Sequence, residues 1–216
     1  MRLHPFVLCI AFACTRSVPS TDVHTSAVYA EWIIEQHSVT SVTANATFHV
    51  GSADGADLVL TSPDHVACNG VALEGPSSIP IAKSYTFDLA RSGEMYSATL
   101  PPPPAFTLTG PSLAGTYDDQ YTLRWTGDAL GQARVDISAT STQESCVGSP
   151  IATDAPDTGS FAFDGSAFGA SRSVSPPSCA YTITVTRKRS VPLPSGFAGG
   201  EVTSRFVQTI AAQVHP

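Results

Sequence analysis

Tyr181-Thr182-Ile183-Thr184-Val185-Thr186-Arg187 sets a large apolar residue against a threonine, position after position. Aromatic and β-branched residues at period two suit a half-buried strand, because successive side chains leave a pleated sheet on opposite faces. The same period recurs upstream. Tyr121, Leu123 and Trp125 share one face of 121–125, and Val135, Ile137 and Ala139 share one face of 134–139. Ser160 to Asp164 offers Phe161 and Phe163, Phe106-Thr107-Leu108 leads into this half, and Val202 to Val214 closes it as a long apolar-rich strand.

The N-terminal half reads the same way. Val42 to Val50, Leu58 to Leu60, Tyr85 to Leu89 and Tyr96 to Leu100 are strand-like, with turns at Asp54-Gly55 and Ser92-Gly93. Asn69-Gly70 is a two-residue hairpin signal, since both positions tolerate the positive φ of a type I′ turn; it joins His65–Cys68 to Val71–Leu73. Ala27 to Gln36 favours a strand by composition, although a helical turn also fits. Helical i, i+3, i+4 spacing is scarce after residue 25.

Pro101-Pro102-Pro103-Pro104 interrupts the pattern, because proline donates nothing to a ladder and prefers a stiff polyproline II path. The expectation is an all-β chain of two consecutive antiparallel β-sandwich (Ig-like) domains. Residues 26–100 form the first, 101–104 the linker and 105–216 the second. Trp125 precedes both cysteines of its half, so the immunoglobulin analogy is architectural.

Composition narrows the class of function. The chain has 216 residues, a net charge of −7 and only 13% charged residues, with two lysines. An acidic chain lacks the basic footprint that phosphate backbones require, so no nucleic-acid partner is expected. At 42% apolar it can still build a core, and its glycines and prolines follow no period.

The N-terminus, MRLHPFVLCIAFAC, has Arg2 as a short positive region and an uncharged run from Phe6 to Ala13. That run is too short to span a bilayer, which takes about 20 residues, but it suits a signal peptide over 1–13. Ala11-Phe12-Ala13 is the cleavage site, and Cys14 directly follows it. The expectation is lipid attachment at Cys14, with residues 14–25 as a tether. Ordinary cleavage that merely leaves Cys14 near the N-terminus is the alternative. Cys146 and Cys179 form the expected disulfide. The loop they enclose is worth about 3–4 kcal/mol in the chain-entropy account. Cys68, in Val66-Ala67-Cys68, reads as a small buried hydrophobe.

Several segments carry a resemblance. Tyr96-Ser97-Ala98-Thr99-Leu100-Pro101, Phe106-Thr107-Leu108-Thr109-Gly110-Pro111, Leu123-Arg124-Trp125, Asp157-Thr158-Gly159-Ser160-Phe161 and the run from Cys179 to Arg187 resemble uncharacterised exported lipoproteins of Gram-negative, myxobacterial-like bacteria. The resemblance covers most of the chain. It implies a lipid-anchored, two-β-domain protein at the outer membrane or cell surface, with a periplasmic or secreted soluble form as the alternative. It implies no activity.

The sequence has no G-x-S-x-G elbow, H-E-x-x-H, P-loop or G-x-G-x-x-G motif. His37, His49 and His65 are a conceivable zinc set but lack close ligand spacing, so surface histidines are expected and no metal is assigned. Asp154 and Asp157 are the calcium candidates, because loop carboxylates supply oxygen ligands; aspartate is equally a favoured turn residue. Arg187-Lys188-Arg189 reads as a solvated strand end or edge guard. Trp125 reads as core, and Trp32 is the candidate for stacking on a ligand such as a sugar. Asn45-Ala46-Thr47 matches a glycosylation acceptor, relevant only in a eukaryotic host. The expectation is a lipid-anchored envelope protein with no catalysis and a binding or structural role, whose partner beyond the membrane is a protein or glycan. The alternative is a carbohydrate-binding module or small exported hydrolase with a site between the domains.

Overall fold

The computed structural model describes residues 17–109, 113–128, 131–143, 146, 148–168 and 178–215. The expected signal peptide and Cys14 lie outside the described residues. In chain order the strands are β1 (Val18–Pro19), β2 (Val28–Ser38), β3 (Ser41–Val50), β4 (Leu58–Val59), β5 (His65–Cys68) and β6 (Val71–Ala72). There follow β7 (Ser77–Ile79), β8 (Tyr85–Arg91), β9 (Glu94–Leu100), β10 (Leu108–Thr109), β11 (Leu113–Thr116) and β12 (Gln120–Trp125). The last are β13 (Arg134–Thr140), β14 (Ser149–Pro156), β15 (Ser160–Asp164), β16 (Cys179–Val191) and β17 (Gly199–His215). Among the described residues the helical elements are three short 3-10 turns, and no helix is long and apolar enough to cross a membrane. The chain is all-β.

One eight-stranded sheet organises the molecule, in the order β14-β13-β16-β17-β2-β3-β7, with β11 also on β17. β16 and β17 form its spine, an antiparallel hairpin paired from Cys179↔Val214 to Val191↔Val202. The other edge of β17 is divided. Its first half pairs in parallel with β2, from Gly199↔Tyr29 to Phe206↔Gln36, and its last residues pair in parallel with β11. Strands from both sides of the four prolines therefore share a sheet, and the pairing is not purely antiparallel.

Two smaller sheets cover this one. The order β6-β5-β8-β9 faces the N-terminal part and β10-β12-β15 the C-terminal part. Each layer pair encloses a buried cluster. One holds Trp32, Ile34, Tyr85, Phe87 and Leu89; the other holds Tyr121, Leu123, Trp125, Ile183 and Phe206. Alternation explains both. β8 buries Tyr85, Phe87, Leu89 and Arg91, while β12 buries Tyr121, Leu123 and Trp125. Each such large side chain contributes about 1.5–3 kcal/mol on leaving water. Val202, Val191 and Phe197 of the C-terminal hairpin pack into the first cluster, across the expected boundary.

The turns follow the sequence. Asn69 (φ 47°) and Gly70 (φ 78°) close the β5–β6 hairpin with Cys68 opposite Val71. The Asn69 side chain accepts from the Thr86 amide and donates to the Ser84 carbonyl, fixing that turn on β8. The tether expected over 14–25 is folded from Val18 on. β1 pairs with β4, Ser20 and Thr25 are buried, and the Arg91 guanidinium donates to the carbonyls of Ser20 and Val23. Serine and threonine gave no hydrophobic period here, yet backbone carbonyls facing a buried arginine hold the segment down.

Candidate functional site

An open cleft of about 770 Å³ lies beside β3. Its origin lies in strand pairing. β7 pairs with β3 only from Val42↔Ile79 to Ala44↔Ser77. The next residue toward the N-terminus, Pro76, has no amide hydrogen, and Gly75 takes φ +148°, a conformation side chains disfavour. The chain leaves β3 at that point. β3 is met again where His49 bridges Asp57 and the Val50 amide donates to the Ala56 carbonyl, just before β4. Between these contacts, 45–48 form one wall; Leu58, Leu60, His65, Val66 and Leu73 form the opposite wall and floor.

Three carboxylates and two imidazoles supply the titratable lining, Asp57, Asp64, Glu74, His49 and His65, and Asn45 and Thr47 add neutral polar groups. No lysine or arginine lines it. His49 Nδ1 lies 3.2 Å from Asp57 Oδ1, while His65 Nδ1 is 3.0 Å from the Pro63 carbonyl oxygen. Asp64 is only 8% exposed; its Oδ1 accepts from the Ser92 amide at 3.0 Å, and its buried Oδ2 accepts no hydrogen bond. The buried Arg91 guanidinium feels the Asp64 charge; its Nη2 donates to the Ser20 and Val23 carbonyls, while its Nε and Nη1, like Asp64 Oδ2, are buried without a hydrogen-bond partner. The exposed aliphatics Val59 and Val71 stand at or next to the rim.

Of the residues singled out in the sequence, His49 and His65 line the cleft, while Trp32, Asp154, Asp157 and Arg187 to Arg189 fall elsewhere. Trp32 is fully buried, stacked on Phe87 at 5.7 Å and edge-on to Phe197, so it offers no face to a sugar. Its neighbours state why: Val28, Ala30, Trp32 and Ile34 share one parity of β2, and Glu31 and Glu35 share the other. Asp154 and Asp157 do not act together. The exposed Asp154 pairs with Arg134 and Lys188, whereas the Asp157 carboxylate is completely buried against Arg187 Nε at 2.6 Å and accepts from Trp125 Nε1 at 2.6 Å.

That contact corrects the reading of Arg187-Lys188-Arg189 as a solvated end. Arg187 is 2% exposed; it also donates to the carbonyls of Pro104, Ala105 and Thr126, and its guanidinium lies 4.7 Å from the Phe106 ring centre. Lys188 pairs with Asp136 and Arg189 with Asp128. β16 lies between β13 and β17, so it is no edge. Parity was the available signal, since Arg187 follows Cys179, Tyr181, Ile183 and Val185 on the inward face.

The described cysteines, Cys68, Cys146 and Cys179, fall as expected. Cys146 and Cys179 are bonded with Cα atoms 5.8 Å apart, and Cys68 is a buried free thiol. Burial first, then the Asp88 charge, pushes the Cys68 thiol up to about 12. His37 pairs with Glu35, away from the cleft that His49 and His65 line. No group of three or more His, Cys, Asp or Glu is placed to hold a metal among the described residues. His24 Nδ1 and Ser26 Oγ are 2.8 Å apart, but the same nitrogen accepts the Ser26 amide and caps a 3-10 turn. Neither protein-family models nor curated proteins match the chain.

Proposed function

We propose that the chain is a lipid-anchored cell-envelope protein of Gram-negative bacteria that binds a partner through the β3 cleft and performs no catalysis. The observation that carries this reading is the distance between anchor and fold. Cys14 directly follows Ala11-Phe12-Ala13, and the first strand begins at Val18. Four residue steps reach at most about 14 Å, so an acylated Cys14 would hold the body close against the bilayer. The disulfide is compatible with an oxidising compartment. Architecturally we read two Ig-like sandwiches, 26–100 and 105–216 about the proline linker. The separate buried clusters support that division, and the hairpin β16–β17 serves both.

The test is the intact mass of the native protein together with its fractionation. Acylation adds the mass of a diacylglyceryl group to a chain beginning at Cys14, and Cys14→Ser releases the protein from the membrane fraction. An unmodified Cys14, or a chain that stays soluble without treatment, sinks the anchored reading.

A further inference from the structure

We propose that the cleft captures an extended, basic segment of a partner protein by adding it as a strand to the open stretch of β3. This deepens the binding role proposed above and needs only that role, not the anchor. The backbone argument comes first. In an antiparallel ladder, alternate residues turn both main-chain groups to the same neighbour. The Val50 amide donates to Ala56 on the edge away from β2, so Ala46, four residues earlier, turns its N–H and C=O to that edge. No described strand pairs with it there, because β7 ends opposite Ala44 and the next bridge is at His49. Exposed edges are usually blocked by lysine, proline or a covering loop. Here Pro76 carries the covering chain away instead.

The lining chemistry selects the occupant. Asp57, Asp64 and Glu74 face no lysine or arginine in the cleft, and the Asp64 Oδ2 is buried without a hydrogen-bond donor. A lysine or arginine side chain would give that oxygen a charge-assisted bond. The apolar floor of Phe48, Leu58, Val66 and Leu73 suits the aliphatic residues that alternate with it in a strand. His49 and His65 place ring nitrogens at the walls.

The experiment uses the full chain, in detergent where it is acylated, and a fluorescein-labelled octapeptide alternating lysine and valine. Anisotropy should saturate with Kd tighter than about 1 mM. The same peptide with glutamate for lysine should not bind. N-methylation of alternate amides, which removes main-chain donors, should weaken binding about tenfold. Glu74→Lys, at an exposed position, should weaken it about fivefold. Asp64→Asn should also weaken it, with Glu74→Lys deciding the matter if that variant does not fold. No saturation up to about 1 mM overturns the proposal. So does equal binding of the N-methylated or glutamate peptide, or displacement by spermine at the concentration that the peptide itself requires, because charge alone would then suffice. Because the readout is independent of Cys14, failure here and failure of anchoring are distinguishable.

Discussion

The two buried clusters solve the same packing problem with different reinforcement. The C-terminal one has a disulfide, Cys146–Cys179, and a buried carboxylate, Asp157, engaged by Arg187 and Trp125. The N-terminal one has a free thiol, Cys68, and a buried carboxylate, Asp64, with one oxygen bonded to the Ser92 amide and the other unbonded. The second oxygen of Asp157 is neutralised by Arg187 Nε at 2.6 Å, whereas no ion pair among the described residues reaches the second oxygen of Asp64, and an incompletely satisfied buried polar group is costly. On the proposed function, the C-terminal part supplies architecture and the cleft beside the N-terminal part supplies recognition.

The contrast breaks most visibly at Asp157. Replacing it with alanine strands a buried guanidinium and leaves the Trp125 Nε1 donor without its acceptor, a loss of about 3–5 kcal/mol. Asp64→Asn retains an oxygen for the Ser92 amide and should cost less than a third of that. Chemical denaturation of both variants measures the difference, and equal losses would remove the distinction between the carboxylates. Reduction of the disulfide ranks next, at about 3–4 kcal/mol for a bond between residues 33 apart in sequence. The loss should appear in the C-terminal part first, read by hydrogen exchange of β13 and β16 against β8. Uniform loss across both would mean that the shared hairpin β16–β17 couples the clusters into one cooperative unit.

Much of this was legible because strands announce themselves locally. Val42–Val50, Tyr121–Trp125 and Tyr181–Arg187 each show their period within a few residues, and Asn69-Gly70 names its own turn. What stayed hidden depends on partners far along the chain. The parallel pairing of β2 with β17 joins residues about 170 apart, and no local pattern encodes it. Arg187 looked like a surface charge because Asp157, which neutralises it, lies on another segment; only its parity betrayed it. Trp32 was readable by the same parity. The cleft is the hardest case, since it arises where β7 fails to continue along β3, and a missing pairing leaves only a Gly-Pro step in the sequence.

The smallest expected effect sharpens the comparison from the other side. Cys68 is a thiol in an apolar layer, with its ionisation pushed up to about 12 from an ordinary 9.0. Below 9 both folded and unfolded chains hold the proton, and the burial stabilises fully. Between about 9 and 12 the unfolded thiol ionises while the folded one does not, so stability falls as pH rises through that window. Cys68→Ala removes this component, and stability between pH 9 and 10.5 should fall less steeply in the variant than in the parent. At pH 8 the native thiol should also resist a maleimide that labels it promptly in denaturant. Rapid native labelling would mean that the N-terminal layers open readily around β5, one wall of the cleft, and the cleft would then be a fluctuating gap instead of a formed groove.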